Sequence, residues 1–148
     1  MGRKKSTFSI LIICVVLIFA SIIIFYNLEH TPAGTNFSGI VTKIVDGDTL
    51  DIDHKRIRLS LINTPEIGQS QYEEAKNFTS EICHIGSYAI IDPDDNQIPS
   101  YGRIVATVYC NGTNLNQALL NANFATIIPQ FCSISEFSDE SWAKQFGC

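Results

Sequence analysis

The chain has 148 residues, 45% of them hydrophobic and 17% charged, with a formal net charge of −5. That length predicts one domain, and the composition excludes a disordered chain, a multi-domain enzyme and a polytopic membrane protein. What remains is a single anchored or secreted domain.

The first element is an apolar run. Arg3, Lys4 and Lys5 precede a charge-free stretch, 6–28, in which nearly every residue from Phe8 to Tyr26 is apolar. About 20 apolar residues at a rise of about 1.5 Å span the hydrocarbon core of a bilayer. The basic tip, 1–5, is then expected in the cytoplasm and the remainder outside. A cleaved signal peptide is the rival reading, but its apolar region usually has about 7–15 residues. The longer run here favours an uncleaved transmembrane helix. Either way the domain is extracytoplasmic: membrane-anchored, or secreted after cleavage. Residues 29–36, with Pro32 and Gly34, read as a linker, and 37–148 as the domain.

Phe37–Val45 alternates around Ile40, Thr42 and Ile44 and reads as a strand, ended by the turn Asp46-Gly47-Asp48. Thr49–Asp53 alternates again, with Leu50 and Ile52 on one face. Arg56–Ile62 is a third strand, with Ile57, Leu59 and Leu61 on one face and Arg58 on the other. Three short strands so closely spaced suggest a meander closing into a small barrel. The period changes in Gln69–Cys83, where Tyr72, Ala75, Phe78 and Ile82 form a helical stripe closed by Gly86. Ser87–Asp92 and Arg103–Cys110 are the fourth and fifth strands, with an acidic loop between them. Asn114 can cap a second helix that buries Leu115, Ala118, Leu119 and Ala122, and Asn123 suits the left-handed residue at its end. Ser135–Phe146 reads as a third helix with Phe137, Trp142 and Phe146 inward. The class is α+β: five strands and three helices, preceded by the transmembrane segment.

Cys14 lies in the apolar run. Cys83, Cys110, Cys132 and Cys148 are an even number in a small exported domain, which predicts two disulfides. Three pairings are possible. Cys132–Cys148, which would staple the C-terminal tail, and Cys83–Cys110 are favoured. The absence of C-x-x-C spacing disfavours zinc. Sequons at Asn36, Asn77 and Asn111 fit an exported surface.

Three clusters could carry chemistry. They are Asp46-Gly47-Asp48-Thr49 at a turn, Arg58 followed by Asn63-Thr64-Pro65-Glu66 at a strand end, and Tyr101-Gly102-Arg103 at a strand start. Each alone reads as an ordinary turn or a solvated arginine. Together they set hard oxygen donors beside two arginines at strand ends.

In VTKIVDGDTL, RIRLSLINTPE, YEEAKNFTSEI, YGRIVATVYCNGTNLNQALL and NFA, from Gly39 to Ala125, the sequence resembles the staphylococcal nuclease (thermonuclease) family. The resemblance implies an OB-fold, a five-stranded barrel packed on helices. It also implies a Ca²⁺-dependent endonuclease that hydrolyses phosphodiester bonds in DNA or RNA. Carried over by motif, Asp48, Asn63 and the Thr64 carbonyl would hold the metal. Arg58 and Arg103 would grip the phosphate, and Glu66 would orient or deprotonate the attacking water. The residue types suit these roles. Ca²⁺ takes oxygen ligands in flexible geometry, guanidinium groups match phosphate bidentately, and a carboxylate can take a proton from water.

Two departures stand out. The best-known members carry Asp at the position of Asn63, so this chain has one negative charge fewer and should hold Ca²⁺ more weakly. They also carry a longer, lysine-bearing loop after the position of Glu66; here only five residues, 67–71, precede the helix. Residues 30–148 hold seven basic and fourteen acidic residues, a net charge of −7. Phosphate binding is therefore expected from a local cluster drawn from Lys43, Lys55, Arg56, Arg58 and Arg103, with salt-sensitive affinity and little sequence preference. Tyr101 and Tyr109 are candidates to stack on bases. A monomer is expected. The alternative is an OB-fold module that binds nucleic acid or another ligand with weak or no catalysis.

Overall fold

The computed structural model describes residues 35–97 and 99–148. The apolar stretch and basic tip lie outside them. Among the described residues no helix is long and apolar enough to cross a membrane. In chain order the elements are β1 (Phe37–Ile44), β2 (Thr49–Ile52), β3 (Lys55–Leu59), β4 (Ile62–Asn63), α1 (Tyr72–Ile82), β5 (Tyr88–Pro93), β6 (Ile104–Cys110), β7 (Thr113–Asn114), α2 (Leu115–Asn121), β8 (Thr126–Ile127) and α3 (Ser141–Phe146). Short 3₁₀ turns lie at Pro129–Phe131 and Glu136–Asp139.

β2 pairs antiparallel with both β1 and β3, β1 with β5, and β5 with β6. β6 then returns parallel to β3, with Ile57 opposite Ile104 and Leu59 opposite Ala106. This last pairing closes five strands into a barrel and removes its free edges. Val41, Leu50, Ile52, Ile57, Leu59, Ile91 and Val108 fill the interior. Each such side chain contributes about 1.5–3 kcal/mol on burial.

The alternation of β2 and β3 is the one legible in sequence. β1 departs from it. A bulge between Val41 and Lys43 shifts the phase, so Val41 and Ile44 face inward while Ile40 stays exposed. The third strand is also not continuous to Ile62. β3 ends at Leu59, Leu61 takes a φ of 65°, and the chain re-enters as β4 against β8. The Leu61 carbonyl accepts from Ile128 N at 2.8 Å, which helps hold an otherwise uncommon backbone. After the kink, Asn63 meets Arg58 of β3 and Thr64 meets Asp48, just before β2.

α1 buries Ala75 and Thr79, and α2 is capped as expected, Asn114 Oδ1 accepting from Gln117 N at 3.0 Å. Asn123 is left-handed, with φ 59°. The expected third helix is split: Glu140 is extended between the 3₁₀ turn and α3. The first piece starts at Ser135, whose hydroxyl accepts from Phe137 N and donates to the buried Asp94. Asp94 also accepts from Ser60 Oγ and Gln97 Nε2, each at 2.7 Å. Satisfying that buried carboxylate fixes this turn independently of α3. The disulfides are Cys83–Cys110 and Cys132–Cys148, the favoured pairing. The first ties the end of α1 to the end of β6.

Candidate active site

The turn between β1 and β2 presents Asp48 at the barrel rim. Asp46 Oδ1 accepts from Asp48 N at 3.1 Å, closing a local Asx turn. From the other side, Thr79 of α1 donates its hydroxyl to the Gly47 carbonyl at 2.6 Å. The turn therefore depends on a helix some thirty residues later in the chain.

Asp48 is 4% exposed. Its Oδ1 lies 2.9 Å from Arg58 Nη1 and accepts from Thr49 Oγ1 at 3.2 Å. Its Oδ2 accepts from Thr64 N at 2.7 Å and from Thr64 Oγ1 at 2.9 Å. These contacts use the roughly four acceptor sites a carboxylate offers. Burial pushes the Asp48 carboxyl above its ordinary value, opposed by the Arg58 guanidinium. Burial likewise lowers Arg58, and its attraction to Asp48 opposes that shift. The 2.9 Å contact between them is backed by further hydrogen bonds on both partners.

Asn63 extends the network. Arg58 Nη2 donates to Asn63 Oδ1 at 2.9 Å, and Asn63 Nδ2 donates to the Thr64 carbonyl at 3.1 Å. Asp48, Arg58, Asn63 and Thr64 are thus one connected set. The oxygens of Asp48, Asn63 and Thr64 are hard donors of the kind Ca²⁺ takes. Among the described residues no group of three or more His, Cys, Asp or Glu could hold a metal. With one carboxylate, the donor set fits a weakly held hard cation.

Arg103 stands at the start of β6, where Ser100 and Arg103 bridge. Its Nε donates to the Ser100 carbonyl at 3.2 Å, and its terminal nitrogens have no hydrogen-bond partner among the described residues. Arg58 and Arg103 line one cleft of about 150 Å³, and the charge of Arg103 further lowers Arg58. Glu66 is exposed. Its backbone N donates to Gln69 Oε1 at 2.7 Å, and its carboxylate makes no hydrogen bond among the described residues. It joins the set only electrostatically, through its attraction to Arg58.

Lys43 acts electrostatically on Asp51. Arg56 pairs with Asp51 at 2.8 Å, and Lys55 lies 4.3 Å from the centre of the Phe37 ring. Of the expected cluster, Arg58 and Arg103 are the two that line the cleft. Tyr101 is 95% exposed, with the Arg103 guanidinium 5.8 Å from its ring centre. Tyr109 sits near the far end of β6 opposite Asn114, away from the cleft. Sequence reasoning missed Gln97 and Phe131, which line the arginine cleft. The only hint of Phe131 was an aromatic residue between Pro129 and Cys132, a pattern that packing alone also produces.

The profile described as staphylococcal nuclease homologue matches residues 56–143. The chain is 29% identical over 86 residues to a micrococcal nuclease of Shigella flexneri, covering 55% of this chain and 48% of that protein. It is 28% identical over 142 residues to endonuclease YncB of Bacillus subtilis, covering 80% and 67%. An uncharacterized protein of Bacillus anthracis is 30% identical over 99 residues, covering 60% and 46%. The chain spans about half the length of the first and last of these relatives.

Proposed function

The chain belongs to the family of staphylococcal nuclease homologues, and from that premise we propose that it is a Ca²⁺-dependent endonuclease acting on DNA or RNA outside the cytoplasm. The observation that carries the reading is the pairing of two arginines at one cleft. Arg58 is bonded to Asp48 and Asn63, while Arg103 keeps its terminal nitrogens available.

Asp48, Asn63 and the Thr64 carbonyl would hold the cation, which when bound neutralises charge on the phosphate. Arg103 donates to the phosphate oxygens. Arg58 exchanges its bonds to Asp48 and Asn63 for bonds to the same phosphate, so its charge reaches the reacting centre as the substrate arrives. Glu66, unencumbered at the rim, orients a water and takes its proton. The new bond forms between the water oxygen and phosphorus, the opposite ester P–O bond breaks, and the departing oxygen is protonated from solvent. The extracytoplasmic location, membrane-anchored or secreted, rests on residues 1–28.

Glu66→Ala and Arg103→Ala are expected to abolish DNA hydrolysis in Ca²⁺ while the circular dichroism spectrum and melting temperature stay unchanged. Undiminished cleavage by either variant contradicts the assignment. A second reading, a binding module without catalysis, is supported by the saturation of Asp48, whose acceptor sites are all engaged within the protein. It predicts DNA binding without cleavage at millimolar Ca²⁺.

A further inference from the structure

A second cleft, of about 250 Å³, opens beside the site. Asn63, Pro65, Gln69, Gln71, Asn123 and Phe124 are among its lining. The two clefts meet at the Arg58–Asn63 hydrogen bond, since Arg58 lines the first and Asn63 the second. The second differs in chemistry, for no Lys or Arg among the described residues lines it. That makes it a poor phosphate site. It offers instead four side-chain amides and an aromatic wall. The side chains of Gln71 and Asn123 make no hydrogen bond within the described residues. Phe124 is braced by Phe78, with ring centres 5.2 Å apart. A cleft this small lies below the range of drug-sized ligands and suits one planar ring system.

Amide side chains pair with the donor and acceptor edges of bases, and aromatic faces stack on them. A polynucleotide whose scissile phosphate lies at Arg58 and Arg103 must continue past the site on both sides. We infer that the amide-lined cleft is a nucleobase subsite. It takes the base of the nucleotide on the far side of the scissile phosphate from the arginine cleft. The inference rests on the nuclease reading for the position of that phosphate. The site's own requirement is only for a single-stranded base.

The test is binding in EDTA, which needs no catalysis. Gln71 and Asn123 both have positive φ, 66° and 59°, so glycine removes each amide without adding backbone strain. The full-length chain and the double variant Gln71→Gly/Asn123→Gly are compared by fluorescence anisotropy. The probes are a labelled single-stranded DNA hexamer and the same hexamer with abasic sites. The double variant is expected to bind the hexamer about tenfold more weakly, the equivalent of 1.4 kcal/mol, and the abasic oligomer as tightly as the native chain does. Equal affinity of the two proteins for the hexamer, or an equal loss on the abasic oligomer, overturns the subsite. Cleavage by the native chain in Ca²⁺ is scored separately, so loss of the nuclease reading and loss of the subsite give different results.

Discussion

A side chain at Gly47 would have no room. A Cβ there would lie 2.7 Å from Thr64 Oγ1 and 2.8 Å from Thr64 Cβ. Thr64 in turn donates twice to Asp48. Gly47→Ala should therefore cost about 1–3 kcal/mol of stability, the usual range for overpacking, and should move Asp48. Urea denaturation and cleavage rate measured together are expected to fall in parallel. Loss of stability with full activity would show that Asp48 is not sensitive to this contact. The Asp-Gly-Asp turn was legible in sequence, but the need for glycine was not, because its neighbour is sixteen residues away from Asp48 in the chain. Asn63 is the second residue of interest. Its amide bridges Arg58 and the Thr64 carbonyl, a bridge no ionised carboxylate could make, having no donor. Asn63→Asp frees that carbonyl and adds a ligand charge. It should lower the Ca²⁺ concentration for half-maximal cleavage several-fold. A tighter half-saturation in the native chain would count against Asn63 as a ligand position.

At the scale of elements, the site is assembled by tertiary contacts. Leu50 with Ile52 and Ile57 with Leu59 alternate cleanly, and those strands were readable because one face of each is fully buried. The bulge in β1 and the left-handed Leu61 were not readable, since the first is a register shift against β2 and the second is held by a bond from Ile128, far along the chain. The kink at Leu61 is nonetheless what carries Asn63, Thr64 and Glu66 to the rim. Helix α1 was located by its apolar stripe, yet its contribution to the site comes from a polar residue outside that stripe. Thr79 is fully buried and bonds the Gly47 carbonyl. Thr79→Val keeps the shape and removes the donor, leaving a buried carbonyl unsatisfied. The expected loss is about 1–3 kcal/mol, read by denaturation. Cleavage should fall further than in a surface variant of equal stability. Ser135–Phe146 carried enough apolar residues for one helix, but the caps at Ser135 and the extended Glu140 make two elements of it.

For the whole molecule, charge is divided between two regions. The acids that give residues 30–148 their −7 balance include a group at Asp92, Asp95, Glu136 and Glu140, which act on one another electrostatically. Burial, and then the charges of Asp95, Glu140 and Asp94, push the Asp92 carboxyl above its ordinary value. The folded protein thus holds that proton more tightly than the unfolded chain. Ionisation of Asp92 costs stability, and the cost grows as pH rises through the raised value. Asp92→Asn should raise the melting temperature near pH 7, with the gain fading toward about pH 4, near the ordinary carboxylate value. A gain independent of pH would rule out ionisation as its cause. On a body of this charge, nucleic acid has to be held locally by Arg58, Arg103 and a cation. The most direct measurement is cleavage of single-stranded DNA by the purified full-length chain in millimolar Ca²⁺, in EDTA, and after Ca²⁺ is restored. Cleavage in the first and third conditions and none in the second is the predicted result. Cleavage that persists in EDTA, or a folded protein inert in saturating Ca²⁺, would contradict it.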